Sequence, residues 1–457
     1  MATVYVSKSG NDSNNGTAGA PVLTLGKAFE KVDVANEAGS EIIIQDSGVY
    51  QEGGLGTTSN NGGSNVVVSD ITLMALTGSD GLPTVTPTIQ GSGSSAVPQD
   101  YALYCYRGWT IKGITFTDWI INEGVIYQRS TGAGDYGLTI TLCTFYHITG
   151  SCINLKGGNS AANDPGMHII DGNTFYDFQA SGSVGSAIHA GGTNHSRQIT
   201  AVNNVFYDWQ PLRSTDNIIF TGTTNAKRPL NVISHNTFGT SSVGSNFFPN
   251  VAVEVDYAKF EYNIIKDQTN AQSFAQVDNG EANYNIYHGL SQGNARAPFG
   301  TSADPTGSTG NQNIDPILKG PAFTGANANY RLKGSSSPAF DAAIGSANAT
   351  KDRTGRLRSV LDVTAFNTGI FDIGAYEVTG LWQDESPDSL SQIESDFTIN
   401  RIPNADNQWK KGLQEGNSAV LGKDVDQVPL STAVNGAVPS FIRKRPTANT
   451  QELGKKV

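Results

Sequence analysis

The sequence predicts an all-β fold, a right-handed parallel β-helix with an N-terminal capping helix and an extended C-terminal arm. Three observations carry this reading. One short phrase recurs through the middle of the chain, an asparagine and an aromatic residue keep fixed places within it, and a second apolar run follows each copy.

The phrase is plainest in DGNTFYDF and VNNVFYDW, between Asp171 and Trp209. Aligned on Phe175 and Phe206, its anchor recurs at Phe116, Phe145, Phe238, Ile265 and Tyr287, at successive spacings of 29, 30, 31, 32, 27 and 22 residues. Such a period is too long for a hairpin meander and suits the coil of a solenoid. Two residues before the anchor stand Ile114, Cys143, Asn173, Asn204, Asn236, Asn263 and Asn285, so the last five coils share an asparagine register. Asparagine tolerates the left-handed backbone of a sharp turn between strands, and its amide can bond the equivalent amide one coil away. Asn173, Asn204, Asn236, Asn263 and Asn285 are therefore expected to form a structural ladder. The aromatic anchor then points inward and stacks on its counterparts at a coil spacing of about 4.8 Å. A strand returning parallel to itself does so by a right-handed crossover.

The second apolar runs end at Leu155, Ala190, Phe220, Val255 and Val277. Strand alternation places Ile153, Ile188, Ile218, Val253 and Ala275 inward. It places Asn154, His189, Ile219, Glu254 and Gln276 outward, in one column along the surface.

In chain order, residues 1–50 read as a strand, a polar GNDSNNGT loop, a helix and the first buried strand. Leu25, Ala28, Phe29 and Val32 share one helical face, Thr24 is placed to cap its start, and the helix suits the lid that a solenoid end requires. Residues 51–380 carry the coils, with Gly/Ser/Thr-rich excursions between Leu55 and Asp100 and between Ser291 and Gly325. Residues 381–457 carry no coil phrase and read as an arm, with Trp382, Trp409, Phe441 and Ile442 as anchors.

The strand, GNDSNNGT loop, Pro21 and helix of the opening resemble the start of right-handed β-helix proteins of the pectate-lyase-like superfamily. YRLKGSSSPAFDAA, DRTGRLR and DIGAYE resemble the closing segment of the same broad group. The resemblance spans roughly Thr3 to Glu377 and includes phage tailspike and virion-surface proteins. It implies the fold, and it leaves open polysaccharide lyases, glycoside hydrolases, tailspikes and inert structural proteins.

Composition narrows the classes. Only 37% of the 457 residues are hydrophobic and 16% are charged, and 52 are glycine, which suits many tight turns and few long helices. Cys105, Cys143 and Cys152 match no metal spacing, and Cys143 sits in the asparagine register, where packing is its expected role. The net charge of −11 argues against a general nucleic-acid binder. From Arg401 onward nine basic and five acidic residues give +4, which leaves −15 for the rest. No apolar run reaches membrane-spanning length and the opening has no signal-peptide core. Either a leader has been removed, or the protein reaches its destination without secretion.

Among candidate site residues, Glu254, Asp216 and His189 are the catalytic candidates, with Asp256 and His195 nearby in sequence. Hydrolases on this fold need two or three carboxylates across the scissile bond. Lyases need a group that neutralises a uronate, often calcium, and a basic residue. In this reading Ile219 interrupts the outer column and no two carboxylates stand on successive coils at one register. Arg213, Lys227 and Arg228 adjoin it. Tyr146, Tyr176 and Tyr207 follow the anchor directly and are expected to point outward as a ladder. With Arg213 they form a candidate glycan-binding surface, or they are buried under loops or a neighbouring subunit. No nucleotide-binding loop or zinc motif is present, and no cofactor is implied apart from calcium if the chain is a lyase.

Two functions follow. One is a virion component, assembled in host cytoplasm as a homotrimer, docked to other virion proteins through the arm and binding a host glycan. The other is an extracellular polysaccharide lyase or glycoside hydrolase.

Overall fold

In the computed structural model, residues 2–376 are described apart from 36–37, 57–69, 94–100, 106–107, 122, 130–136, 157–166, 180–184, 193–194, 197, 212–215, 222–229, 241–250, 268–272, 279, 290–309, 321–327, 334–336, 340–341, 344–351 and 354–371. The chain divides into two units, one of Met1–Leu332 with Ser337–Glu377, the other of Lys333–Ser336 with Val378–Val457. The expected arm, the Ser291–Gly325 excursion apart from residues 310–320, and Arg213, Lys227 and Arg228 lie outside the described residues.

The first unit is a right-handed parallel β-helix of three sheets, which we call faces 1, 2 and 3. Each coil runs through them in that order. The coil that begins at Thr110 contributes Thr110–Lys112 to face 1, Thr115–Ile120 to face 2 and Ile126–Arg129 to face 3. Face 1 runs from Thr3–Val6 to Glu281–Asn283 and face 2 from Val49–Tyr50 to Gln312–Asn313. Strand pairing within the three sheets is parallel, apart from the short antiparallel Gly191–Ser196 and Gly192–His195 contacts.

The aromatic anchors fill the interior as expected. Phe116, Phe145, Phe175, Phe206 and Phe238 are fully buried and stack ring on ring, with centroids 5.1, 4.9, 4.8 and 5.0 Å apart. That spacing matches the distance between paired strands, so each ring rests on the next without distorting the backbone.

The asparagines form the ladder, by a geometry that sequence reasoning had only in part. The Oδ1 of each accepts both the backbone N–H and the side-chain Nδ2–H of the asparagine one coil earlier. Asn173 donates to Asn204, Asn204 to Asn236, Asn236 to Asn263 and Asn263 to Asn285, at 2.9–3.1 Å. Each Nδ2 also donates to a face 1 carbonyl in the preceding coil, as Asn204 does to Ile170 O at 2.8 Å. The ladder has a further rung at Asn311, which accepts from Asn285. The left-handed residue is the one before the rung: Leu142, Gly172, Asn203, His235, Tyr262, Tyr284 and Gly310 all have φ between 55° and 78°. The turn is thus made one residue early, which frees the asparagine to direct its amide inward.

Face 3 corrects one register. Ile188 pairs with Ile219 and His189 with Phe220, so Ile219 belongs to the inner column and Phe220 to the outer. Ile218 and Ile219 are both fully buried, so burial pressure alone did not distinguish them.

The helix Leu25–Ala35 buries Leu25, Ala28, Phe29 and Val32, and Phe29 stacks on Trp109 at 5.4 Å. Its first three N–H groups are satisfied: Leu25 and Gly26 donate to the Glu52 carboxylate and Lys27 to Thr24 Oγ1. Burial opposes ionisation of Asp46, but bonds from Ser7, Lys8, Gly48 and Tyr50 outweigh it and hold this carboxyl below its usual range. The three cysteines are buried free thiols, and burial pushes Cys143 up to about 12.

Inside face 1 lies His168, fully buried, with Nδ1 accepting the Leu138 N–H at 3.2 Å. The proton therefore sits on Nε2, which has no partner among the described residues. Burial lowers its pKa from 6.5 to about 4. The unfolded ring protonates as pH falls through 6.5, while the folded ring resists until about 4. The stability tied to the neutral ring is complete above 6.5 and is lost between 6.5 and about 4, by up to roughly 3 kcal/mol. Denaturant unfolding of wild type and His168→Gln across this window is expected to show the larger fall in wild type. Parallel curves would contradict the assignment.

Candidate functional site

The outer column of face 3 reads Tyr104, Tyr127, Asn154, His189, Phe220, Glu254 and Gln276. His189 stacks on Phe220 at 4.9 Å and donates from Nε2 to the Gly191 carbonyl at 3.0 Å. Glu254 is half-buried beside Phe220, whereas Asp216 is buried one residue before the strand Asn217–Thr221. Four residues of strand separate Asp216 from Phe220, roughly 13 Å. In register, His189 and Glu254 stand on either side of Phe220 in the outer column. Carboxylates do stand on successive coils at one register elsewhere, as Asp256 pairs with Asp278 in this sheet.

Face 2 carries a constellation that sequence reasoning passed over. Two residues beyond each anchor, the strand kinks through a left-handed residue: Asp118, His147, Asp177 and Asp208, with φ of 58°, 51°, 48° and 51°. Pairing resumes beyond it, with Ile148 opposite Phe178 and Phe178 opposite Trp209. The kink is a bulge that leaves one residue per coil outside the ladder of paired strands, and aspartate is among the residues that tolerate this conformation. His147 Nδ1 lies 3.3 Å from Asp118 Oδ1 and Nε2 lies 2.9 Å from Asp177 Oδ2. Gln90 Nε2 donates to the other Asp118 oxygen at 2.7 Å. The side chains of Asp118 and Asp177 are 35% exposed and that of His147 is 54% exposed. The signal was in the repeated FYDF and FYDW, where Asp177 and Asp208 occupy one register. It was missed because a strict two-residue alternation does not allow for the bulge.

Beside this row runs the tyrosine ladder. Tyr146 stacks on Tyr176 and Tyr176 on Tyr207, each pair 5.0 Å apart and within 9° of parallel. Tyr146 and Tyr176 are half-buried, and Tyr146 meets His147 edge-on at 4.9 Å. Burial and the neighbouring Tyr146 and Asp177 push Tyr176 up to about 12.

Tyr207 follows the second of the two readings, burial under another part of the chain. It is 4% exposed, because the next coil has Gly239 at the ladder position and Tyr330 fills that space. Tyr330 packs on Tyr207 at 5.3 Å, and its hydroxyl accepts the Thr240 N–H at 2.8 Å. Arg353, which donates to Thr174 Oγ1 and to the Tyr376 hydroxyl, adjoins the same region. The ladder therefore offers two tyrosines to solvent and closes at the third. Asp208 is correspondingly 8% exposed. No group of three or more His, Cys, Asp or Glu placed to hold a metal ion occurs among the described residues.

No family model matches the chain, and no curated protein matches it. Among solved structures it is similar to a GH136 lacto-N-biosidase from Eubacterium ramulus, at 10% identity over 63% of this chain and 56% of that one, with a TM-score of 0.37. A rhamnogalacturonan lyase gives 12% identity over 81% and 100% of the two chains and a TM-score of 0.31. The pectate lyase Pel9A gives 13%, 83%, 97% and 0.28. The chain thus spans about half the length of the first of these.

The contrast along the ladder is measurable. Tyr207→Ala is expected to cost roughly 3–5 kcal/mol in denaturant unfolding, like a core aromatic, and Tyr146→Ala under about 1 kcal/mol. Equal losses would mean that Tyr330 does not seal the stack.

Proposed function

We infer that the protein is a carbohydrate-active β-helix protein that holds a neutral glycan across face 2. The observation that carries this is the pairing of two partly exposed, stacked tyrosines with a row of carboxylate and imidazole groups one residue away. Aromatic faces receive the apolar faces of sugar rings, and carboxylates accept hydrogen bonds from sugar hydroxyls. Both rows cross successive coils at about 4.8 Å, so the glycan lies along the helix axis. Charge selects the class of glycan. Asp118 and Asp177 line the surface, and the whole chain carries −11, so a polyanionic uronate polymer is repelled.

Isothermal titration with soluble neutral polysaccharides (laminarin, mixed-linkage β-glucan, arabinoxylan, galactomannan) and with polygalacturonate tests this. At least one neutral polymer is expected to bind, polygalacturonate is not, and Tyr146→Ala with Tyr176→Ala is expected to weaken binding at least tenfold. Preference for the uronate polymer, or unchanged binding by the double variant, overturns the reading.

Attachment to a virion as a homotrimer is a separate proposal, supported by the basic segment from Arg401 and the apolar Phe441 and Ile442 beside Arg443, Lys444 and Arg445. A chain ending at Gly380 is expected to bind glycan unchanged but to be missing from purified particles and to run as a monomer. Full assembly of that shortened chain would count against the arm.

A further inference from the structure

We propose that face 2 receives its glycan by a chain end, with the terminal sugar ring seated over Tyr176 against a wall built by Tyr330 and Arg353; this rests on the binding reading above. The observation that carries it is a step in burial shared by three neighbouring columns of the face. One residue before the anchor, Thr115 and Thr144 are partly exposed, whereas Thr174, Val205 and Thr237 are buried. One residue after it, Tyr146 and Tyr176 are partly exposed and Tyr207 is buried. Two residues after it, Asp118, His147 and Asp177 reach solvent and Asp208 is buried. Parallel pairing keeps these columns in register, so the three steps fall within one coil of each other and mark a single boundary across the face.

The boundary is made by residues that return from far along the chain. Tyr330 stands over Gly239 and packs on Tyr207. Arg353 donates to Thr174 Oγ1 and to the Tyr376 hydroxyl. The Ala375 N–H donates to Thr237 Oγ1 at 3.1 Å, and Gly374 lies so close to Ile264 that a Cβ would clash. On the other side of the exposed tyrosines the face stays open. Gln51 Nε2 donates to Gln90 Oε1 at 3.3 Å and Gln90 Nε2 to Asp118 Oδ2 at 2.7 Å, and these partly or fully exposed amides carry the polar row two coils beyond Asp118.

A tyrosine stacks a sugar only where its ring face is uncovered. With Tyr207 covered, Tyr176 is the last rung that a sugar can use, and Tyr330 fills the next stretch of the row. A chain laid along the helix axis therefore arrives from the Gln51 side and stops at Tyr176. To continue, it would have to turn off the tyrosines and leave over Gln179 and Gln210, which are partly exposed and bond each other at 2.8 Å. A terminal ring ends in a hydroxyl where an internal ring continues into the next sugar. Arg353, half-buried at the wall and a donor only, meets such a hydroxyl and has nothing equivalent to meet on an internal ring.

The test uses the full chain and the neutral polysaccharide that binds in the titrations above, divided into size fractions whose chain ends have been counted. Bound protein is expected to scale with the number of chain ends, at the same ratio in every fraction. Bound protein that scales instead with polymer mass, so that longer chains hold more copies, overturns this inference and leaves the binding reading standing. Tyr330→Ala, shown to be folded by its β-sheet circular dichroism, is expected to uncover Tyr207 and shift binding from ends toward mass. A folded Tyr330→Ala that still follows chain ends also overturns the inference. Absence of binding to every neutral polymer removes both readings.

Discussion

The buried amide ladder is the constraint on which the rest of the molecule depends. A solenoid corner turns the chain inside the structure, where its N–H and C=O groups cannot reach water and each unmet group costs roughly 1–3 kcal/mol. Asparagine meets that demand because one side chain both accepts and donates. From Cys143 to Asn311 the corners are joined into one column of amides, broken by no apolar residue. The column sets the coil spacing, and that spacing lets the phenylalanines stack. Earlier coils manage the same corner differently, with Ile114 and Cys143 in the register, which shows that the ladder is a device of the central and later coils.

A second corner shapes the surface. Two residues past the anchor, the bulge of face 2 lifts one side chain per coil out of the alternation, and the residues found there are Asp118, His147, Asp177 and Asp208. The backbone conformation favours short polar side chains. The same geometry therefore selects chemically useful groups and aligns them at coil spacing beside the tyrosines. The row on this face is a by-product of the repeat, with a carboxylate on three coils and an imidazole on one.

Much of this was legible in the sequence, and the failures have physical causes. Phe175 and Phe206 announced the interior because stacking demands identical residues at identical places. Asn311 was missed because Asn313, not an aromatic residue, follows it in the anchor position, so the phrase was incomplete although its amide was intact. The Ile218 and Ile219 register slipped because neighbouring isoleucines are interchangeable to any hydrophobic count. Tyr207 was left between exposure and burial because nothing local marks a residue arriving from Tyr330. The Asp/His row was hidden by the assumption of unbroken alternation.

The seating of Tyr330 over Gly239 separates two timescales in the maturation of the molecule. Coil partners lie about 30 residues apart, whereas Tyr330 bonds Thr240 across 90 residues. Closing the longer loop costs roughly 1 kcal/mol more in chain entropy. Coils can wind one on another as the chain emerges during synthesis, each using only its neighbour. The tyrosine stack stays open at its far end until the closing segment has been made and docked. The nascent protein thus possesses its scaffold before the tyrosine stack of face 2 has a boundary.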